Sequence, residues 1–588
     1  MRSFFKYVLA TVTGIGIVVV LLVVVLIAII TTTVRQMSSG NDTPVPSNSI
    51  LYISLNHEIT ERTEENPFEG ITVPGLGEVK SLGLNDIIGR IRAAKTDDRI
   101  KGIYLNPRSV NTGFASTKAI YDALDDFKTS GKFIVAYSDV FTQKAYMLAS
   151  LADKVYINPE GSLDFKGLSA TVTFMKEALD KLGVQMQVVK VGTYKSAVEP
   201  FILNEMSDAN REQMTSYLGS TYDSFLENVS SSRGITIDSL RNIADNYLIR
   251  NAEDAIKYGF VDDMLFTDQV INALKERVGI DEKKDLSAIS ILDYRDTHKT
   301  TVTGDRIAVL YAYGAIVDGE GEETNIGGDR ISRELRKLRR DDRVKAVVIR
   351  VNSPGGSALA SDIIAREVEL TKESKPVVVS MGDYAASGGY YISALADSIF
   401  AENETLTGSI GVFGLIPSFK GLLNNKLGIH LDEVKTGKYA DLLASPDRLM
   451  TEDERAIIQT EVNRVYGTFM NKVATGRGME ISEVDSIGQG RVWTGRQALD
   501  NGLVDGIGNV SRAIEAAASK ANLTDYRIAY YPRVKDPITS LLGTSKEKIK
   551  LWMFSEEFGE FREHLDQLRT VTKSSGIQAR MPYKVEIR

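Results

Sequence analysis

The stretch Asp341-Asp342-Arg343-Val344-Lys345 repeats, with one apolar exchange, the stretch Asp97-Asp98-Arg99-Ile100-Lys101, which lies 244 residues earlier. Two further pairs of stretches match at the same offset to within one residue. They are Leu151-Ala152-Asp153 with Leu395-Ala396-Asp397, and Ala255–Asp262 with Ala498–Asp505. Self-similarity at a fixed offset is the signature of a repeated structural unit. The sequence therefore predicts an internal duplication, with two tandem copies of one domain.

Strand-like and helical stretches alternate within each copy. In the first copy, short apolar runs at residues 102–105 and 133–137 flank a helical stretch at residues 116–129. A long helical stretch follows an N-cap residue in each copy, Ser207 in the first and Thr451 in the second. This alternation is typical of an α/β fold with covered, largely parallel strands.

The N-terminal segment is predicted to anchor the chain in a membrane. Residues 7–34 carry no charge, and they exceed the roughly 20 residues that a transmembrane helix needs. A cleaved signal peptide is the alternative, but its apolar core would be about 7–15 residues long and followed by a small-residue cleavage site. Arg2 and Lys6 precede the apolar run, so we expect an uncleaved, single-pass anchor with its amino terminus in the cytoplasm.

These features divide the chain into five predicted segments. They are the cytoplasmic N-terminus and anchor (1–34), a polar linker (35–48), the first copy (49–303), the second copy (304–533) and a tail (534–588). The tail includes an amphipathic stretch at residues 556–572, and we interpret it as a packing or subunit-contact arm.

The composition argues against several kinds of chemistry. The chain has no cysteine, which removes disulfides, thiolate catalysis and cysteine metal sites. A formal charge of −8 gives no support for a nucleic-acid partner. The four histidines form no metal-binding pair, so we predict neither metal nor cofactor. Only His430 could serve a Ser-His-Asp mechanism, and we interpret it as a loop or strand-edge residue.

The two copies differ in a reciprocal way that locates the chemistry. In the repeat alignment, Ser387 corresponds to Gln143, whereas Lys195 corresponds to Ala440. A serine hydroxyl needs an adjacent base to act as a nucleophile. A lysine can be that base if burial lowers its pKa from about 10.4 to about 7–8. We therefore predict that Ser387 is the nucleophile and Lys195 the general base of one site shared by the two copies.

Glycines near Ser387 predict an oxyanion-binding site. Gly355-Gly356 follow a strand of the second copy, and Gly388 follows Ser387, whereas the first copy has no matching glycine pair. Backbone N–H groups at such positions can approach a scissile carbonyl and stabilise its developing charge by several kcal/mol. The preceding Asp383-Tyr384-Ala385 are predicted to line an apolar substrate pocket that accepts small residues. The alternative is that Tyr384 belongs to the core.

Four motifs resemble those of the signal peptide peptidase A (protease IV) family in its long, duplicated bacterial form. They are V-G-T-Y-K-S-A-V-E-P-F at Val191–Phe201, V-N-S-P-G-G-S at Val351–Ser357, A-S-G-G-Y-Y at Ala386–Tyr391 and T-G-S-I-G-V at Thr407–Val412. The resemblance covers nearly the whole chain. It implies two Clp-protease/crotonase-like domains and a serine endopeptidase with a Ser/Lys dyad assembled across them. It also implies that Ser409 orients the lysine amine.

The same resemblance implies a place and a substrate. The family forms a homotetramer on the outer side of the bacterial cytoplasmic membrane, and it degrades remnant signal peptides within their apolar core. Two other functions remain open at this stage. One is a crotonase-type acyl-CoA enzyme, which would usually rely on an acidic base. The other is a non-catalytic, membrane-tethered scaffold, which would have no reason to keep both dyad members.

Overall fold

The computed structural model describes most of the two predicted copies. The described residues are 45–63, 82–295, 304–444, 447–533, 577–581 and 586–587, with isolated residues 7, 14, 18 and 21. Apart from those four isolated residues, the predicted anchor lies outside the described residues, and so do most of the linker and most of the tail, including its amphipathic stretch. In the part of the chain that is described, no helix is both long and apolar enough to cross a membrane.

The first half is built on a six-stranded parallel sheet with strand order β7-β4-β3-β2-β1-β8. A large apolar core covers one face of this sheet, and a smaller cluster that includes Val270 and Leu274 covers the other. The elements of this half are β1 (Ser49–Ile53), α1 (Leu84–Thr96), β2 (Ile100–Leu105), α2 (Phe114–Lys128), β3 (Phe133–Phe141), α3 (Gln143–Ser150), β4 (Lys154–Leu163), β5 (Ala170–Thr171), α4 (Lys176–Leu182), β6 (Gln185–Val191), a 3-10 turn (Ser196–Val198), α5 (Glu199–Ile202), α6 (Asp208–Arg233), α7 (Ile237–Asp245), α8 (Ala252–Lys257), β7 (Asp263–Met264), α9 (Thr267–Val278) and β8 (Ala288–Ser290).

The second half repeats this topology. Its strands β19, β15, β14, β12, β9 and β20 pair in parallel in that order, which matches the order of the first half, and β16 and β18 extend the sheet from β14. The elements are β9 (Arg306–Tyr313), β10 (Ile316–Val317), β11 (Ile326–Gly327), α10 (Gly328–Arg340), β12 (Val344–Ser353), β13 (Gly355–Ser357), α11 (Ala358–Lys372), β14 (Val377–Ala386), α12 (Gly388–Tyr391), β15 (Ser398–Ala401), β16 (Leu406–Gly408), β17 (Val412–Ser418), a π-helical segment (Gly421–Leu427), α13 (Glu452–Arg477), α14 (Ile481–Ile487), β18 (Val492–Thr494), α15 (Gly495–Asp500), β19 (Gly506–Ile507), α16 (Val510–Lys520) and β20 (Arg527–Tyr531).

The predicted α/β class and the two predicted N-caps are confirmed. The Ser207 side chain accepts a hydrogen bond from the Asn210 N–H at the start of α6. Thr451 caps α13 through a capping box with Glu454. Such caps satisfy N–H groups that the first turn of a helix leaves unpaired.

The two halves share a third, mixed sheet, and this sheet positions the site. Its strand order is β11-β10-β13-β21-β17-β6, where β21 is Ile577–Arg580 of the tail. β6 of the first half runs antiparallel to β17 of the second half over seven residue pairs. Strand β22 (Glu586–Ile587) pairs with β5 of the first half. The chain immediately after β6 is therefore held against the second half.

A buried ion pair also joins the halves. Glu61 accepts hydrogen bonds from Arg350 Nε at 2.9 Å and from Asn352 Nδ2 at 2.7 Å. The side chains of Glu61 and Arg350 are only 4% and 3% exposed. Because both Arg350 and Asn352 lie on β12, this contact ties the start of the first half to the strand that leads into Gly355.

Candidate active site

Ser387 lies at a sharp turn between β14 and α12. Its backbone angles are φ 56° and ψ −113°, in a region that a residue with a side chain rarely adopts and that costs on the order of 1–3 kcal/mol. Its N–H donates to the Gly408 carbonyl at 2.8 Å, and its carbonyl accepts from the Tyr391 N–H at 2.8 Å. A strained strand-to-helix turn of this kind projects a nucleophile away from the sheet.

Lys195 reaches Ser387 from the other half. It follows β6 and precedes the 3-10 turn, and its side chain is 1% exposed. Lys195 Nζ donates to Ser387 Oγ at 2.9 Å, to Ser409 Oγ at 3.0 Å and to the Ser409 carbonyl at 3.3 Å. The structure thus brings together the predicted nucleophile Ser387, the predicted base Lys195, and Ser409, for which the resemblance implies an orienting role.

Burial sets the protonation of Lys195. It lowers the pKa of the amine from 10.5 to about 7, and desolvation is the cause. Among the described residues, no carboxylate forms an ion pair with this lysine. Its neighbours are neutral hydroxyl and carbonyl oxygens, which satisfy the amine without restoring its affinity for a proton. Near neutral pH, a large fraction of the amine is unprotonated and can accept a proton from a serine hydroxyl.

Ser409 is held rigidly beside the amine. Its φ of 51° is positive, its N–H donates to the Arg491 carbonyl at 2.7 Å, and its hydroxyl donates to the Gly490 carbonyl at 3.3 Å. The hydroxyl proton therefore points away from Lys195, and an oxygen lone pair faces the amine. This geometry suits the orienting role that the resemblance implies.

Gln213 contacts the residues on both sides of Lys195, and the sequence did not predict these contacts. Its Nε2 donates to the Tyr194 carbonyl at 3.1 Å and to Ser196 Oγ at 2.8 Å, on either side of Lys195. Its Oε1 accepts from the Val492 N–H at 3.2 Å. Gln213 is one of several buried residues on α6, and a polar residue on a helix face has no local pattern that marks such a contact.

The predicted oxyanion glycines surround a single carbonyl. Gly355 has φ +93°, and a Cβ there would lie 2.7 Å from the Gly388 nitrogen and 2.3 Å from the carbonyl oxygen of Ala579. Gly356 pairs with Ala579 across β13 and β21. Only a residue without a side chain at position 355 lets the three backbones approach this closely.

The three residues before Ala386 take separate positions. Asp383 is buried and accepts from the Ser116 N–H at 2.9 Å and from Ser116 Oγ at 2.6 Å, so it joins the two halves. Ala385 is buried in the core of the second half. Because side chains alternate along a strand, Tyr384 points the other way, toward an apolar cluster beside the site. Of this predicted pocket, the structure brings only Tyr384 to that cluster.

The counterparts in the repeat take no part in the site. Gln143 Nε2 donates to the Gly167 carbonyl at 2.8 Å, and its Oε1 accepts from the Lys166 and Gly167 N–H groups at 3.2 Å. Its amide therefore fills the position that Ser387 occupies in the second half. Ala440 is exposed, and so is His430, whereas Ser387 is fully buried and bonded to a lysine. Within the described ranges, no group of three acidic, histidine or cysteine side chains could hold a metal ion.

Known proteins resemble this chain over most of its length. The sequence model of peptidase family S49 matches twice, at residues 126–281 and 369–524. The first match contains Lys195 and the second contains Ser387. Protease 4 of Haemophilus influenzae is 38% identical over 518 residues, which are 84% of this chain and 82% of that protein.

Two more distant proteins extend the comparison. The chloroplastic serine protease SPPA of Arabidopsis thaliana is 33% identical, covering 91% of this chain and 78% of that protein. The structure of ClpP1 from Listeria monocytogenes is 18% identical and covers 34% of this chain and 91% of that chain, with a TM-score of 0.22. The predicted resemblance to the long, duplicated form is confirmed by the double family match. The chain belongs to peptidase family S49 as a long, duplicated member, and it is a serine peptidase.

Proposed function

We propose that the chain is a serine endopeptidase in which Ser387 is the nucleophile and Lys195 the general base. The observation that carries this proposal is the 2.9 Å contact between Lys195 Nζ and Ser387 Oγ. It is a contact between a lysine from one half and a serine from the other, in a site where burial lowers the pKa of the amine to about 7. Membership of a peptidase family counts against both alternatives, the acyl-CoA enzyme and the scaffold.

The proposed reaction has two stages. Neutral Lys195 takes the proton of Ser387 as Oγ attacks the scissile carbonyl carbon, and the backbone N–H groups of Gly356 and Gly388 stabilise the oxyanion. The Gly355 N–H instead donates to Ser353 Oγ at 3.1 Å. Lys195 then passes the proton to the leaving amine, and an ester on Ser387 remains. Water, deprotonated by Lys195, attacks the ester and releases the new carboxyl group, which regenerates the serine.

The proposed substrates are cleaved signal peptides in or at the bacterial cytoplasmic membrane. The uncharged run at residues 7–34 supports a membrane tether. In the structure β21 pairs with the edges of both β13 and β17, and strand edges of this kind bind extended rather than folded peptides. Met214, Tyr217 and Leu406 form an apolar cluster beside the site, which suits an apolar substrate. The catalytic body is proposed to lie on the outer side of that membrane.

We also propose that the chain acts as a homotetramer. The segment at residues 427–443 exposes several large apolar side chains, and Val434 is 98% exposed. A contact between subunits would cover these exposed apolar side chains, and this supports the proposed assembly. The mass of the detergent-solubilised particle, measured by light scattering, tests this assembly, and a monomer would contradict it.

Substitution of the two dyad residues tests the mechanism. Ser387→Ala and Lys195→Ala are each expected to reduce cleavage of a hydrophobic peptide by at least about a thousandfold, because members of a catalytic unit fail together. His430→Ala is the matched control, and it is expected to cleave normally. Circular dichroism would verify that each variant folds. Substantial cleavage by either dyad variant would contradict the proposal, and so would loss of activity in His430→Ala alone.

A further inference from the structure

A cavity at the boundary of the two halves is lined by four arginines. It has a volume of about 420 Å³ and runs along β20, and its wall includes Arg62 of the first half and Arg306, Arg527 and Arg533 of the second half. In the sheet, β9 and β12 separate β20 from β14, the strand that leads into Ser387. The cavity is therefore separate from the candidate active site.

The register of the sheet places two of these arginines side by side. Arg306 of β9 and Arg527 of β20 are direct partners in a parallel ladder. Side chains of paired residues leave a sheet on the same face, so the two guanidinium groups share one face. Like charges that lie directly opposite each other on neighbouring strands are destabilising. A negative charge bound between the two groups would remove this cost.

The equivalent positions of the first half carry no charge. Ser49 takes the place of Arg306, because each donates its N–H to the carbonyl of the arginine in the repeated Asp-Asp-Arg stretch, at 2.9 Å and 2.7 Å respectively. Ser287 takes the place of Arg527, because β8 has the same register with β1 that β20 has with β9. Ser49 Oγ and Ser287 Oγ are hydrogen-bonded at 2.9 Å. The fold therefore does not require the two arginines, and only the second half has them.

The positive charge of the cavity is not neutralised by neighbouring carboxylates. Among the described residues, none of the four arginines forms an ion pair, and the acidic residues that directly precede two of them have other partners. Asp305 pairs with Lys345 at 3.6 Å, and Glu61 pairs with Arg350 at 2.9 Å. The cavity thus concentrates positive charge in a chain whose formal net charge is −8. Such a concave, charged wall attracts anions.

Arg62 is already held in position by uncharged groups. Its Nη1 donates to the Pro532 carbonyl at 2.7 Å, and its guanidinium carbon lies 5.0 Å from the centre of the Tyr311 ring. These two contacts fix the planar group and leave its charge unpaired. A guanidinium presents paired N–H donors that match the oxygens of a phosphate, and one that is held in advance loses less freedom on binding.

We propose that this cavity is a binding site for a phosphate group, which Arg62, Arg306 and Arg527 hold by charge-assisted hydrogen bonds. Its volume lies within the range of small-molecule sites, about 300–1,000 Å³. The bound phosphate neutralises the facing pair Arg306 and Arg527, for which the first half has serines. Two sources supply this chemistry to a chain proposed to be tethered to a membrane: the headgroup of an anionic phospholipid, or a soluble phosphate compound.

Isothermal titration calorimetry of the full chain in an uncharged detergent tests the site and its source. The probes are inorganic phosphate, dihexanoyl phosphatidylglycerol, dihexanoyl phosphatidylcholine and a tetraglutamate peptide, at an ionic strength of about 0.15 M, which screens loose surface attraction. Binding of phosphatidylglycerol in preference to phosphatidylcholine would identify a lipid headgroup, and binding of inorganic phosphate alone a soluble compound. Binding of both anionic phosphate probes would support a site for the group that they share. If neither binds, or if tetraglutamate binds more tightly than both, the cavity is not a phosphate site.

Substitution by the residues of the first half provides a matched test. The double variant Arg306→Ser, Arg527→Ser is expected to bind the phosphate probe at least tenfold more weakly, with no decrease in Tm, because it loses a pair of like charges. Arg366→Ala is the control, since Arg366 is exposed on α11 and pairs with Glu369. This control is expected to bind as the parent chain does. Unchanged affinity in the double variant, or an equal loss in Arg366→Ala, would overturn the proposal.

Thermal unfolding gives a readout that depends on binding to the folded chain. The phosphate probe in excess is expected to raise the Tm of the parent chain, because a ligand of the native state stabilises it. It is expected to leave the Tm of the double variant unchanged. Arg533→Ala changes an exposed side chain of the cavity wall outside β20, and it is expected to reduce the increase in Tm. The same increase in Tm for the parent chain and the double variant would place the phosphate elsewhere and contradict the site.

Discussion

Lys195 carries the pH dependence that we expect of this enzyme. Below its pKa of about 7, the amine holds a proton and cannot accept one from Ser387. Activity is therefore expected to rise with pH, by about tenfold for each pH unit below pH 6, and to level off above about pH 8. The measurement is kcat/KM for a hydrophobic peptide between pH 5 and 9. A flat profile, with the fold intact by circular dichroism throughout, would contradict Lys195 as the base.

The reciprocal exchange between Ser387 and Gln143 has a physical basis at the residue scale. A glutamine can bond both the N–H groups and the carbonyl of the loop it faces, as Gln143 does with Lys166 and Gly167. Ser387, at the same position in the second half, instead accepts a hydrogen bond from Lys195 of the first half. In the first half, the Gln143 amide therefore hydrogen-bonds within its own half. In the second half, Ser387, the proposed nucleophile, is bonded to Lys195 of the other half.

At the scale of elements, the close packing of the 489–492 segment on Lys195 sets the position of this proposed base. Gly490 has φ +78°, and a Cβ there would lie 2.6 Å from the Cβ of Lys195. Gly490→Ala is expected to displace the lysine and lower kcat by about tenfold to a hundredfold, with a smaller change in KM. Steady-state kinetics with a hydrophobic peptide measures both constants.

Gly467→Ala is the matched control for this substitution. Gly467 lies within α13, and a Cβ there would meet nothing within 4 Å. Replacing a glycine inside a helix is expected to stabilise the fold by about 0.5–1 kcal/mol and to leave kcat unchanged. Equal kinetics for the two variants would show that Gly490 does not position the lysine.

At the scale of the whole molecule, the pair Glu61–Arg350 holds the two halves together. Glu61→Ala leaves the buried guanidinium of Arg350 without its carboxylate, and the expected loss is about 3–5 kcal/mol in the free energy of unfolding. Urea denaturation measures that loss. The exposed pair Arg512–Glu515 is the control, and Glu515→Ala is expected to cost less than about 1 kcal/mol. If the two variants lose the same free energy, the buried pair does not hold the halves.

The duplication, the α/β class and the two residues proposed to form the dyad were all predictable from the sequence. These properties can be predicted because they depend on local sequence patterns and on the alignment of one half with the other. Alternation of strands and helices depends on neighbouring residues, and the exchange of Ser387 for Gln143 and of Lys195 for Ala440 appears when the halves are aligned. The N-caps Ser207 and Thr451 were predictable for the same reason, because a cap acts within one helical turn.

The contacts between the two halves follow from the folded structure and were not predictable from the sequence. The pairing of β6 with β17 joins residues more than two hundred positions apart, and no local pattern encodes it. No local pattern encodes the position of Gln213 beside Lys195, the hydrogen bonds between Ser116 and Asp383, or the pairing of β21 with β13 either. Such contacts depend on side-chain packing and on strand edges that become adjacent when the whole chain folds. The sequence therefore predicted which residues act as base and nucleophile, and the fold alone brought Lys195 Nζ within 2.9 Å of Ser387 Oγ.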